Sequence, residues 1–442
     1  MPDPIRTGPD ACPGALQLHQ AADGPLARVR VPGGELSLAA LRALTAGLGD
    51  GFIELTSRAN VQVRALRDPI AFAAGIAAAG LLPSPTHERV RNILASPLTG
   101  LGPRGILDVR PLVTALDKGL CSRTPLAALP GRFLFALDDG TGDVATQNAD
   151  ISAIPDADSM RILLAGEDHG LRCPIDATVH LMLTAAESFL TERTAQSSEA
   201  WRLSELHDGP AQIAARLSPL LTTSVLTDPV STRSADPVSS TPAPSPIISQ
   251  GSPRLAADQT ASLGSDGRRG DGLSPVGVIA LSDGTYAIGA VVPLGRLSAA
   301  QVVVLAEVAG PEGIVRLTPR RGVVVAGLSA NNAASAEVAL GNVGLVTDPR
   351  SPWVVVTACT GRPGCAKSLT DVQADARTSV GALGGSRPVH WAGCERRCGR
   401  PRGEVVDVVA VPGGYRVDFE GVSRTHGELH AVVEDVRSRR IG

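Results

Sequence analysis

The chain has 442 residues, 41 of them Lys or Arg and 44 Asp or Glu, for a formal net charge of -3 at pH 7. That near-balance argues against a general nucleic-acid binder, which carries a basic excess, and the length calls for two or more domains, because single cores stop growing near 250–300 residues. No apolar run approaches the roughly 18 residues that a membrane-spanning helix needs, and Met1-Pro-Asp-Pro-Ile-Arg-Thr-Gly-Pro9 lacks the apolar stretch of a secretory signal.

Seven cysteines without such a signal point to free thiolates in a reducing cytoplasm. Lysine is confined to Lys118 and Lys367. Nearly every cation is therefore an arginine, whose planar fork grips carboxylates in a way lysine does not.

The first unit, residues 1–79, reads as strand, turn, strand, helix, strand, turn, strand. Asp23-Gly24 supplies the first turn signal and Ser37 a helix N-cap. Residues 80–216 form a second unit holding only Cys121 and Cys173. From 217 to 274 the composition shifts to Ser, Pro and Gly without an apolar period, which predicts a flexible linker.

Residues 275–345 then repeat the first unit. Val292-Pro-Leu-Gly-Arg-Leu-Ser298 parallels Val31-Pro-Gly-Gly-Glu-Leu-Ser37, and Gly313-Ile-Val-Arg-Leu-Thr-Pro-Arg320 parallels Gly51-Phe-Ile-Glu-Leu-Thr-Ser-Arg58. Asp283-Gly284 and Ser298 repeat the turn and the cap. Two copies of a small α+β unit are expected to pack as a pseudo-symmetric pair around a shared cleft.

Residues 346–442 carry the paired cysteines, Cys359-x5-Cys365 and Cys394-x3-Cys398. Four thiolates in two tight pairs are a ligand set for an iron–sulfur cubane. A structural zinc and small buried hydrophobes are the alternatives, and the five-residue gap is wider than zinc pairs mostly use. A helix beginning near Cys365 would add its positive N-terminal end. Arg396, Arg397 and Arg400 are candidates for further charge compensation, or are solvated. Cys12, Cys121 and Cys173 read as core or surface thiols.

Together the cysteine set and the duplicated units resemble the sulfite/nitrite reductase superfamily. That resemblance implies an α+β fold of duplicated ferredoxin-like half-domains, each followed by a sulfite/nitrite-reductase-type α+β domain, in a pseudo-twofold arrangement. Thr56-Ser-Arg-Ala-Asn-Val-Gln62 is similar to the family's Thr-x-Arg-x-x-x-Gln element, and Val90-Arg-Asn-Ile-Leu94 to its Arg-Asn element. Arg58, Asn60, Gln62, Arg91 and Asn92 are thereby implied as tetrapyrrole-binding residues. Arg132, and Arg320 and Arg321 in the second copy, join them as arginines able to hold substrate carboxylates. The reductases carry Lys-x-Lys after Leu-Pro. Here Leu129-Pro130 leads to Arg132 and Leu134, so one cationic proton donor is lost.

Within the superfamily the chain looks most like the precorrin-3B synthases, on Ala11-Cys-Pro-Gly-Ala-Leu16, Phe135-Ala-Leu-Asp-Asp-Gly140 and His390-Trp-Ala-Gly-Cys-Glu-Arg-Arg-Cys-Gly399. The resemblance implies a monooxygenase that hydroxylates precorrin-3A at C20 and closes a lactone. It implies a [4Fe-4S] cluster on Cys359, Cys365, Cys394 and Cys398, a mononuclear non-haem iron, and NADH as ultimate electron donor. The competing reading is a sirohaem-dependent sulfite or nitrite reductase. For the iron, His426-x3-His430 with Glu428, and His390, are candidate ligands, and Asp138 and Asp139 candidate carboxylates, although a turn role suits the latter pair better. Without a convincing dinucleotide-binding element, electrons are expected through a separate transfer protein. Oligomeric state is left open.

Overall fold

The structure, a computed structural model, describes residues 10, 12–223 and 275–440. The first copy contains β1 (His19–Ala21), β2 (Gly24–Val29), β3 (Glu35–Ser37), α1 (Leu38–Ala46), β4 (Phe52–Leu55), β5 (Val61–Val63) and α2 (Pro69–Ala78). The next domain contains β6 (Ile93–Ala95), α3 (Arg110–Ser122), β7 (Phe135–Leu137), β8 (Ile151–Asp156), β9 (Ser159–Leu164), β10 (Glu167–Cys173), α4 (Thr178–Ala195) and α5 (Gly209–Thr223). The second copy follows as β11 (Gly277–Ala280), β12 (Tyr286–Val291), β13 (Arg296–Ser298), α6 (Ala299–Ala309), β14 (Ile314–Leu317), β15 (Gly322–Leu328) and α7 (Ala330–Asn342). The last domain holds β16 (Val356–Ala358), α8 (Val372–Ser379), β17 (Val389–Ala392), β18 (Val406–Val411), β19 (Gly414–Phe419), β20 (Val422–His426) and α9 (Leu429–Arg440).

Both expected caps form. The Ser37 hydroxyl accepts from the Ala40 N–H at 3.2 Å, and Ser298 makes a full capping box with Gln301. The duplication extends further than the strand–helix reading predicts: each copy has an extra short strand, β3 or β13, and a closing helix, α2 or α7. It also covers the second pair of domains. Their sheets run β6-β7-β8-β9-β10 and β16-β17-β18-β19-β20, each with two parallel pairings followed by two antiparallel ones.

The two copies exchange strands. The first sheet has the order β1-β2-β5-β4-β13 and the second β11-β12-β15-β14-β3, so each is closed by a strand of the other copy. Leu297 of β13 faces Ile53 of β4, and Leu36 of β3 faces Val315 of β14. All four are buried in one continuous core that spans both copies. The turn before each exchanged strand needs glycine. A Cβ on Gly34 would lie 2.6 Å from the Leu317 carbonyl oxygen, and one on Gly295 would lie 3.1 Å from that of Leu55.

Charge sorts the exchange. Copy one carries Glu35 and Glu54 where copy two carries Arg296 and Arg316. Exchange sets Arg316 against Glu35 at 3.0 Å and Arg296 against Glu54 at 4.0 Å, with Asp50 closer to Arg296 at 2.6 Å. Self-pairing within either copy would oppose like charges across the same rungs, which is destabilising.

The linker reading needs one correction at its start. Ile213, Ala214 and Leu217 form the buried face of α5, and the helix runs on to Thr223, past the expected boundary at 217. Residues 224–274 of that segment lie outside the described residues.

Reversing Glu35 to Arg is expected to destabilise the fold by about 1.5–3 kcal/mol, the value of a hydrogen bond to a charged group. The double variant Glu35→Arg with Arg316→Glu should recover most of that loss. Urea unfolding of the four proteins as a double-mutant cycle measures the coupling.

Candidate functional site

Parallel strands gather functional groups at their carboxyl ends. Here β16 and β17 are parallel neighbours; Cys359 directly follows β16 and Cys394 follows β17 by one residue. The loops bring all four thiols into one electrostatic neighbourhood. Cys394 and Cys398 act on Cys359, and Cys394 and Cys365 act on Cys398. The Gly393 N–H donates to Cys359 Sγ at 3.1 Å. Burial pushes the Cys359 thiol up, and the N–H groups of Gly393 and Gly361 pull it back.

None of the four is in a disulfide. Among the described residues no three of their sulfurs lie within 4.8 Å of one another. Four thiolates drawn from two neighbouring loops are the donor set that a cubane takes. The expected helix at Cys365 is not there. α8 starts at Val372 under an Asp371 cap, so its positive end lies a loop away from Cys365.

The first copy of this domain preserves the frame without the sulfurs. Ser96 follows β6 as Cys359 follows β16, and its Oγ accepts from the Asp139 N–H at 3.1 Å, the same contact Gly393 makes to Cys359. Asp138 accepts from the N–H groups of Gly140, Gly142, Val144 and Ala145 at 2.8–3.1 Å, which makes it a loop organiser. Asp138, Asp139 and Asp143 bring carboxylate oxygens within 4.8 Å of one another. Burial pushes Asp143 up to about 6, and the Ser96 hydroxyl donates to it at 2.6 Å.

An arginine basin lies beside the first copy. Arg58 has Arg202, Asp150 and Arg132 as its main electrostatic neighbours, and burial pulls it down to about 10. Among the described residues the Arg58 and Arg132 guanidiniums have no ion pair, and Arg132 lies 6.0 Å from the Trp201 ring centre. Arg202 is neutralised by Asp150, which the backbone N–H groups of Leu134 and Leu203 also hold. Arg28 and Arg30 add two cations from β2 and its end. Arg30 is 1 % exposed, bonds the carbonyls of Pro13, Arg89 and Gly131, and leaves Nη1 unpartnered. The surplus is positive, as a polycarboxylate needs.

Neither Arg28 nor Arg30 was singled out from sequence. Alternation was the available signal, since Ala27, Val29 and Val31 face the core and the arginines between them face away.

A row of side chains across β2, β5 and β4 joins this basin to the cysteines. Arg28 donates to Gln62 Oε1 at 2.9 Å, Gln62 donates to Glu54 at 3.1 Å, and Arg64 lies 3.9 Å from Glu54. Arg64 then bonds the carbonyl of Gly364, next to Cys365.

Several expected substrate contacts have other partners. Arg91 makes a two-pronged pair with Asp117 at 2.7 Å and bonds the Leu81 carbonyl at 3.0 Å. It lines a separate cavity of about 280 Å³ together with Arg110 and Arg316. Asn60 and Asn92 are 1 % exposed and bond each other at 3.0 Å, with Val31, Gly131 and Phe133 backbone as further partners. Gln62 positions Arg28. Arg320 is exposed on its turn, whereas Arg321 reaches the cysteine loop, 3.5 Å from the Gly399 carbonyl.

Leu134 is a core residue, 2 % exposed. His426 ends β20 and pairs with Asp435 at 2.9 Å, while His430 lies on α9, so the two do not share a helix face. Glu428 lies between the two elements. Arg397 and Arg400 are bound to Asp407. His390 is fully buried, with Nδ1 at 2.9 Å from the Thr357 hydroxyl and Nε2 unpartnered. Burial, then the cations of Arg321 and Arg400, push it down to about 3.

Residues 279–343 match the nitrite/sulfite reductase ferredoxin-like half domain. Over 93 % of its length the chain is 25 % identical to a precorrin-3B synthase of a Sinorhizobium species, covering 83 % of that protein. It is 25 % identical over 84 % of its length to the chloroplastic ferredoxin–nitrite reductase of Zea mays, covering 67 % of it. It is 34 % identical over 26 % of its length to the ferredoxin–nitrite reductase of Synechococcus elongatus, covering 25 % of it. The structure of the Mycobacterium tuberculosis NirA protein shares the fold, with a TM-score of 0.66, 19 % identity, and coverage of 93 % of this chain and 79 % of that one.

Protein isolated without oxygen is expected to contain iron and acid-labile sulfide. Cys359→Ser should lose both and unfold at lower temperature, because ligation contributes to folding. Metal and sulfide analysis, alongside a melting curve, checks this; zinc without sulfide would be the contrary result.

Proposed function

We propose that this member of the sulfite/nitrite reductase superfamily is a precorrin-3B synthase, using O2 and reductant to hydroxylate precorrin-3A at C20 with closure of a lactone. The observation that carries the reading is an arginine basin joined, by a row of hydrogen bonds and one ion pair, to the loop of a four-cysteine centre. Likeness to a precorrin-3B synthase along nearly the whole chain supports it.

In this reading Arg28, Arg58 and Arg132 hold substrate carboxylates. Arg30 braces the basin through the carbonyls it binds. Cys359, Cys365, Cys394 and Cys398 hold a [4Fe-4S] cluster, which supplies single electrons when bound. Those electrons come ultimately from NADH through a separate electron-transfer protein, in the cytoplasm. For a mononuclear non-haem iron, His390 is the one sequence candidate with a buried, unpartnered ring nitrogen among the described residues.

A sirohaem-dependent sulfite or nitrite reductase is less well supported. The position of the second proton-donating lysine is Leu134, packed in the core, and a charged donor there would be buried without a partner. A strong Soret band in the isolated protein would favour that second reading.

The deciding experiment is anaerobic incubation with precorrin-3A, followed by O2 and reductant. A product heavier by one oxygen atom is expected; unchanged substrate would overturn the assignment. Arg58→Ala should weaken tetrapyrrole binding by about 1.5–3 kcal/mol, roughly ten- to a hundredfold, with the cluster's visible absorbance unchanged. Equilibrium binding followed by tetrapyrrole fluorescence measures it.

A further inference from the structure

Arg321 occupies a position that the duplication itself isolates. It lies on the β14–β15 turn, where the Arg321 N–H bonds the Thr318 carbonyl at 3.1 Å and the Gly322 N–H bonds the Thr318 hydroxyl at 3.0 Å. The first copy builds the same turn on Thr56, with matching bonds of 3.2 Å from the Ala59 N–H and 3.1 Å from the Asn60 N–H. Both equivalent residues are left-handed, Ala59 at φ 51° and Arg321 at φ 61°. One frame thus carries a methyl group in one copy and a guanidinium in the other.

The frame around the guanidinium is cut to admit it. A Cβ on Gly295 would lie 2.6 Å from Arg321 Cδ, and one on Gly399 would lie 2.7 Å from Arg321 Nη2. The arm threads between these two glycines and ends beside the Gly399 carbonyl, one residue past Cys398. Its electrostatic neighbours are Glu54 and Cys359, and His390 feels its charge as well. A left-handed conformation is unfavourable for a side chain of this size, and such strain persists where the surroundings hold it in place.

We propose that Arg321 is a positioning cation for the cysteine quartet, fixed at the Cys359–Cys398 edge to raise the electron affinity of the centre bound there. This rests on reading the quartet as a [4Fe-4S] site. Taking one electron from an external reductant makes the centre more negative by one charge, and a nearby cation favours that state. The Glu54 carboxylate moderates the effect from behind.

The test is an EPR-monitored redox titration of the full chain, purified without oxygen, using a one-electron reductant and mediators. Arg321→Gln should lower the midpoint potential by about 60 mV, a tenfold change in the one-electron equilibrium. Arg321→Lys should restore most of it, and Arg320→Gln should leave it unmoved. A cluster-loaded Arg321→Gln protein with the wild-type potential would overturn the proposal, as would an equal shift in Arg320→Gln. If Arg321→Gln fails to assemble, Arg321→Ala takes its place, since the first copy carries alanine at the same left-handed turn position. A shift of the same direction and size is expected there, and no shift would overturn the proposal. Wild-type protein with no cluster signal would remove the quartet reading itself, a failure visible before any variant is made.

Discussion

The exchange of β3 and β13 between the two copies is the interaction on which the rest of the molecule depends. Neither ferredoxin-like sheet has its fifth strand without the other copy, and the core beneath them is continuous. The arginine basin rests on one sheet and the cysteine domain leans on both. Arg64 of the first copy bonds Gly364, and Arg321 of the second reaches Gly399. Two loops that hold thiols are therefore buttressed from opposite copies, and each buttress has its length and direction set by a strand that the exchange has locked. Burial of four branched side chains at the exchanged rungs contributes about 1.5–3 kcal/mol each at full burial.

Against this shared frame the copies differ by few side chains, and those differences carry the chemistry. Ser96 stands where the other copy has Cys359, and Ala59 where it has Arg321. Backbone geometry is conserved to the individual hydrogen bond, as the paired N–H contacts to Ser96 Oγ and Cys359 Sγ demonstrate. One copy spends its strand ends on an Asp-organised loop and the other on thiols. The polar groups are correspondingly unequal: among the described residues Arg58 and Arg132 have no ion pair, whereas Arg397, Arg400 and Arg416 are tied to Asp407 and Asp418.

The duplication was legible because it repeats a spacing of turn, cap and strand, and the cysteine set because two short gaps need no knowledge of the fold. Element partners were harder. Three-residue strands such as Glu35-Leu-Ser37 do not announce which sheet they join, yet the inverted charges at Glu35/Arg296 and Glu54/Arg316 were present in the text of the chain. The residues implied by resemblance have local partners that the sequence does not show. Asp117 pairs with Arg91 inside the second unit, and the bond between Asn60 and Asn92 braces the first unit against the second. A helix start at Cys365 conflicts with Pro363 and Gly364, and the capping Asp371 sets the start of α8 at Val372. Arg28 and Arg30 carry no distinguishing pattern until the strand's inner face is known.

The sorting of charge across the exchanged rungs has one more consequence, for encounters between chains. Strand trading is a low-cost route to domain-swapped oligomers, and an edge that accepts a foreign strand is ordinarily exposed to it. Here two first copies meeting through that edge would set glutamate against glutamate, and two second copies arginine against arginine. Only an unlike copy fits, and the nearest one is always tethered to the same polypeptide, so closure onto itself outcompetes a neighbour at any ordinary concentration.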